Sequence, residues 1–230
     1  MNYDILFFSA HPDDAEFGTG GTLLKLSRKY KTVNVVLTHG EAGTFGSPKV
    51  REREATAAAR FAGASIEFLD FKDNHVEDTV ENALKLAAVI RKYKPRMIFA
   101  PYHTNNSTHY DGVAHPDHIA LGRLAVKAAR FAKFRNAKIR GEAHQAQKII
   151  YYMVPRYFKP SFIVDVSDAI DDLRKLWQCH KSQLKIADGR IVERLLETRA
   201  YTGRLSGVKY AEAFIIEEPL NIDIEGIMDI

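Results

Sequence analysis

The 230-residue chain is predicted to fold as an α/β protein, a mostly parallel sheet with helices on both faces, on three observations. Four apolar, β-favouring runs in the first hundred residues are separated by three amphipathic segments of helical spacing. The runs are nearly continuous rather than alternating in polarity, as strands buried on both faces require. Polar, chemistry-bearing residues gather where two of those runs end.

Residues 4–10 (DILFFSA) make the first strand, closed by a polar turn. A helix is expected over 18–28, where Leu23, Leu24 and Leu26 recur among polar positions, and a second strand over 32–38. The alanine-rich amphipathic stretch 49–61 predicts a second helix, and 66–69 a short third strand. The helix over 80–93 is stopped by Lys94-Pro95, because a residue before proline is driven out of the α region. Residues 97–100 form the fourth strand. Residues 102–114 have no periodicity, and loops of that length inside compact domains are usually functional. A helix over 116–134, strands near 149–154 and 162–166, and helices near 167–179 and 190–205 complete the chain. No linker, composition shift or repeat interrupts it, so one domain spanning 1–230 is expected.

Composition narrows the functional classes. Apolar residues at 46% and charged residues at 27% are ordinary for a soluble globular protein. The longest apolar runs are strand-sized, far short of the roughly 20 residues of a membrane span. Asp4 precedes the first run with no basic region ahead of it, which speaks against a secretory signal. The single cysteine, Cys179, excludes an internal disulfide and fits a reducing compartment, so a cytoplasmic protein without membrane partners is expected. Beside Leu176 and Trp177 its thiol reads as buried and inert. The net charge of +4 is too modest to point to nucleic acid. Residues 123–140 nevertheless hold seven Lys or Arg and no acid. Arg123, Lys127 and Arg130 lie opposite an apolar stripe of Leu121, Leu124, Ala125 and Ala128. A solvated helix face is the plainer reading; an anionic partner surface is the alternative.

The first strand ends in Ala10-His11-Pro12-Asp13-Asp14-Ala15-Glu16. Ligands of open α/β sheets bind just beyond the carboxyl ends of strands, and here that place holds an imidazole and three carboxylates. A turn fixed by Pro12 can aim His11 and Asp14 together and leave Asp13 offset. Acids crowded this closely need a neutralising cation or raised pKa values, and a divalent metal is the natural resolution. Taken alone, the cluster also reads as a polar turn capping a helix. A second cluster, His115-Pro116-Asp117-His118, changes that balance. It stands where the long loop after the fourth strand gives way to a helix, on the same sheet edge. Two histidines three apart across a helix start can reach one site, one as ligand and one beside it. Asp117 can orient either ring through its N–H.

HPDD-x-E at the first strand end together with the later HPDH resembles the PIG-L/LmbE family of metal-dependent N-deacetylases. That resemblance implies a Rossmann-like sheet and cleavage of acetyl from an N-acetylglucosamine-type sugar. It implies a zinc ion, with Fe(II) or another divalent ion also compatible, held by His11, Asp14 and His118. It further implies Asp13 as general base and His115 as general acid and transition-state stabiliser. Gly40-Glu41-Ala42-Gly43-Thr44 followed by Arg51 and Glu54 is similar to the family's segment after the second strand, which implies a substrate contact at Arg51. His180-Lys181-Ser182-Gln183 and the stretch from Gly207 to Phe214 resemble the branch acting on N-acetylglucosaminyl malate in bacillithiol synthesis. The family's habit implies a homotrimer or homohexamer. The chain departs from many relatives in Ala114, where they carry arginine, and in a long loop bearing His103 and His109. Those departures bear on the substrate, not on the metal residues.

Physical chemistry agrees with that assignment. Three N/O ligands with an open position are the pattern of a catalytic zinc, and such a metal acidifies water and polarises a carbonyl. Glu16 is either a further support of the site or a first-turn acid favoured by the helix dipole. Gly18-Thr19-Gly20-Gly21 lacks dinucleotide-loop spacing after the strand and reads as close helix–sheet packing. Tyr201 and Tyr210 are both placed to reach the pocket with a hydroxyl, Tyr201 being the better candidate; core packing is the plainer reading of each. His39, His75, His144 and His180 have no partner pattern. Two rival readings are a nucleotide-binding Rossmann protein and a non-catalytic metal- or partner-binding module.

Overall fold

In a computed structural model, residues 2–104 and 114–219 are described. Most of the aperiodic loop, His109 included, therefore lies outside the described residues. The first half of the chain runs β1 (Ile5–Ser9), α1 (Asp14–Ser27), β2 (Thr32–Val36), α2 (Pro48–Ala62), β3 (Ser65–Phe68), α3 (Val80–Tyr93), β4 (Met97–Pro101) and α4 (Pro116–Ala132). It continues through β5 (Lys148–Tyr152), β6 (Phe162–Asp165), α5 (Ile170–Trp177), α6 (Ile191–Arg204) and β7 (Ala211–Phe214). Strands β1 to β5 form one parallel sheet in the order β3-β2-β1-β4-β5, with helices on both faces, as the sequence predicted.

Side-chain alternation along β1 divides the core. Leu6 and Phe8 join the layer formed with α3 and α4, including Leu86, Ile90, Leu121 and Leu124. Ile5 and Phe7 join the opposite layer with Leu23, Leu173 and Trp177. The period of two makes this obligatory, since a central strand must present apolar groups both ways. The stripe of Leu121, Leu124, Ala125 and Ala128 is buried while Arg123, Lys127 and Arg130 are exposed, with Lys127 2.8 Å from Asp78. Among the described residues, no helix is long and apolar enough to cross a membrane.

Three features differ from the sequence reading. Helix α1 starts at Asp14, four residues before the expected 18, because its first turn is polar and faces the site rather than the core. Strands β6 and β7 pair antiparallel as a separate ribbon, and β7 (AEAF) has too little β-branched content to signal a strand. Finally, α1 is kinked at Thr19 (φ −149°, ψ 31°). The kink frees the N–H groups of Gly21 and Thr22, which donate to the Glu212 carboxylate on β7 at 3.0 and 2.8 Å. Arg199 on α6 pairs with the same carboxylate at 2.9 Å and also donates to the Phe17 carbonyl. The glycines around the kink serve close packing, as expected: a Cβ on Gly18 would come within 2.6 Å of Tyr152, and one on Gly20 within 2.7 Å of Leu173.

Candidate active site

The strand order places the topological switch point between β1 and β4, since the chain winds outward from β1 in one direction and from β4 in the other. His11 follows β1, and His115 to His118 open α4 after β4, so both clusters arrive at that crevice.

Three donor atoms converge there. Nδ1 of His11 lies 3.1 Å from Nε2 of His118, which is 3.1 Å from Oδ1 of Asp14; His11 Nδ1 and Asp14 Oδ1 are 3.7 Å apart. Neighbouring ligands of a tetrahedral ion with bonds of about 2.0 Å stand roughly 3.3 Å apart, so this spacing fits one divalent cation. The other oxygen of Asp14 accepts the His11 backbone N–H at 2.8 Å, which leaves Oδ1 to face the site. The start of α1 adds the helix dipole beneath the carboxylate. His11, His115 and Asp117 form the other compact donor group among the described residues. Its atoms are already engaged, however. Asp117 accepts the N–H of Asn74 and Val76, and His115 Nδ1 accepts the Asp117 N–H at 3.2 Å.

The outer face of His11 is built from a residue the sequence reading missed. Nε2 lies 3.1 Å from Oδ1 of Asp73 and 3.5 Å from Oδ2 of Asp117. The Asp117 carboxylate therefore serves His11, while His115 is engaged by the Asp117 backbone. Two carboxylates on Nε2 fix the ring so that Nδ1 faces the other donors, the usual support of a metal-binding imidazole. Asp73 lies between β3 and α3; His75, two residues on, shows no partner pattern in sequence, and only the parallel sheet order carries Asp73 here.

The electrostatics describe a cage of groups that hold one another in their charged forms. Burial works to lower the His11 imidazolium, yet Asp14, then Asp117 and Asp73, overturn this and hold it up to about 12. Burial likewise opposes ionisation of Asp14, but His118 and His11 keep it well below the usual carboxylate range. Asp73 is opposed by burial and drawn down to about 2 by its hydrogen bond to His11. Asp13 behaves differently. It is buried, which raises its carboxyl, with the Arg51 guanidinium as the chief counterweight and Asp14 adding to the rise.

Arg51, on α2, is buried and donates to Oδ1 of Asp13 at 3.1 Å and to the Gly40 carbonyl at 3.2 Å. Gly40 is left-handed (φ 67°), and a Cβ there would sit 2.0 Å from the guanidinium, so only glycine fits. His115 is half-buried, and burial, then the charges of His11 and His118, lower its imidazolium. Because its Nδ1 accepts a backbone N–H, the neutral ring carries its proton on Nε2.

The pocket over these groups is also lined by Phe17, Asn74, Met153, Gln183 and Ile186. Gln183 reaches it by donating to the Phe45 carbonyl at 2.7 Å, while Ser182 binds Glu54 through both its N–H and hydroxyl. The similarity of the HKSQ segment was the available sequence signal for this contact. Tyr201 is not among the lining residues; it is 39% exposed on α6, with Arg156 over its ring. Its helix turns it outward because Arg199, two residues earlier, takes the inward position. Glu16 stays outside the donor set, buried 3.6 Å from His180. His103 pairs with Glu217 at 2.8 Å. Burial raises the Cys179 thiol.

Residues 6–129 match the family model described as PIG-L, GlcNAc-PI de-N-acetylase. A diacetylchitobiose deacetylase of Thermococcus kodakarensis is 31% identical, covering 90% of this chain and 80% of its own. The crystal structure of a conserved protein from Thermus thermophilus superposes with a TM-score of 0.86 at 35% identity, covering 96% of this chain and 98% of the other. A 4-oxalmesaconate hydratase of Pseudomonas putida is 26% identical over 77% of this chain and 73% of its own, so one scaffold serves more than one water-using reaction. The switch-point crevice, the two histidine–aspartate clusters that meet in it and these likenesses together show that the chain belongs to the PIG-L family.

Proposed function

We propose that the protein is a metal-dependent N-deacetylase that removes acetyl from an N-acetylglucosamine-type sugar, using His11, Asp14 and His118 as metal ligands. The observation that carries this reading is the convergence of His11 Nδ1, Asp14 Oδ1 and His118 Nε2 beside a carboxylate, Asp13, that takes no part in the cluster and is held by Arg51. The donor set is nitrogen and oxygen only, which suits zinc and also Fe(II). A divalent ion bound there supplies Lewis acidity, acidifying water and polarising the amide carbonyl.

The chain's own groups supply the rest. Asp13, raised by burial, accepts the proton of the attacking water. Arg51 keeps its carboxylate oriented and is the chief charge that opposes that rise. His115, with its proton on Nε2, donates a hydrogen bond to the developing oxyanion, and the proton that Asp13 took from water passes to the leaving amine as the C–N bond breaks. Acetate and a free amino sugar leave.

The test is an amine-release assay over N-acetylglucosamine, diacetylchitobiose, chitooligosaccharides and N-acetylglucosaminyl malate, with and without chelator. Chelator-sensitive amine release from at least one is expected. Hydration of an unsaturated carboxylate, with no amine released from any acetamido sugar, would replace deacetylation by the hydratase reading that the Pseudomonas relative supports.

A further inference from the structure

Asn74 lines the pocket, yet neither metal binding nor proton transfer uses its side chain. Its backbone has a clear role. The N–H donates to Oδ1 of Asp73 and Oδ2 of Asp117, both at 2.9 Å, the same carboxylates that flank Nε2 of His11. Asn74 makes both contacts from the left-handed conformation, with φ 63°. Glycine adopts that conformation with least cost, and asparagine is the best tolerated of the others. The backbone role is therefore met without any side chain.

The side chain is nonetheless exposed in the pocket, and its carboxamide has no hydrogen-bond partner among the described residues. A carboxamide carries an acceptor oxygen and two donor hydrogens, the complement of a hydroxyl, which also gives and accepts. It is uncharged, so beside Asp73 and Asp117 it neither adds to the anionic crowding nor competes for a cation. Across the sheet edge, after β5, a second left-handed residue lining the pocket, Met153 (φ 55°), offers only apolar surface. A polyhydroxylated ring has its polar match on the Asn74 side.

We infer that Asn74 is a specificity-determining residue whose carboxamide exchanges hydrogen bonds with one ring hydroxyl of the substrate. The inference rests on the reading that the substrate is an acetamido sugar.

Asn74→Gly tests it, because glycine keeps the left-handed backbone and its N–H while deleting the carboxamide. On the acetamido sugar turned over best, KM is expected to rise about tenfold, with kcat, metal content and Tm close to wild type. The Kd of the amino-sugar product, by calorimetry, should rise by the same factor. Among monodeoxy sugars, the one lacking the hydroxyl read by Asn74 should bind wild type and variant alike. KM and product affinity within about twofold of wild type on every sugar would overturn the inference. If wild type releases no amine at all, the proposed activity fails, and product binding still decides: weaker binding by the variant upholds the role of Asn74, and equal or absent binding overturns it.

Discussion

Two buried acid–histidine constellations flank the first turn of α1, and they hold opposite charge states. On the crevice side, His11 is kept up to about 12 and Asp14 well below its ordinary range. Behind it, burial pushes Glu16 up to about 8 and His180 down to about 4. The residue types and the burial are the same, but the density of partners is not. His11 meets Asp14, Asp73 and Asp117 within 3.7 Å, whereas Glu16 and His180 meet each other at 3.6 Å. In the first case attraction among the charged forms exceeds the cost of desolvating them; in the second, desolvation wins and both groups are neutral near pH 7. An acid beside a histidine is therefore not yet a metal site. A convergent third donor and supporting carboxylates behind it make the difference.

The contrast can be broken by substitution. His118→Ala takes one corner from the donor set, and it should abolish both tight metal binding and turnover, read by elemental analysis and amine release. A variant that keeps its metal and its rate would mean that the ion sits elsewhere. Asp13→Ala should lower kcat about 10²–10⁴-fold while metal content stays at wild-type level, since Asp13 lies outside the donor set. Loss of the metal in that variant would make Asp13 a ligand rather than the base.

The neutral pair gives the next effect. The folded pKa of His180, about 4, lies below its ordinary 6.5, so the unfolded chain binds more protons between those values. Stability from a neutral His180 is present above pH 6.5 and lost as pH falls toward 4, by about 3 kcal/mol in full. His180→Gln should lose less stability than wild type between about pH 7 and 4.5, measured by denaturant unfolding; parallel losses would mean that His180 is protonated in the fold. Smallest is the support behind the cage. Asp73→Asn should weaken metal affinity about 10–100-fold, read by competition with a chelating indicator. Unchanged affinity would reduce Asp73 to a fastener of the loop through Ala42.

Much of this was readable in one dimension because the chemistry is local. HPDD and HPDH each fall within a few residues, and buried parallel strands announce themselves by apolar runs. What stayed hidden depends on distant chain segments meeting. Asp73 is followed by His75 with no spacing that marks a site, and nothing local to Arg51 foretold its 3.1 Å contact with Asp13. The tyrosine expected at the pocket, Tyr201, faces outward because Arg199 takes the inward position against Glu212. The kink that frees two N–H groups of α1 for Glu212 is likewise invisible in a helical pattern, since the capping carboxylate lies about 190 residues away.

The sequence alone determined the parallel α/β architecture, the two clusters and the sheet edge they occupy. Those follow from hydrophobic period and from the rule that ligands gather at carboxyl ends of strands. Tertiary structure decided which atoms face one another: that Asp117 serves His11, that Arg51 holds Asp13, and that Asn74 is left-handed at the pocket. Ring orientation and burial depend on groups brought together from β1, α2, the β3–α3 connection and α4, and no single stretch of chain encodes them.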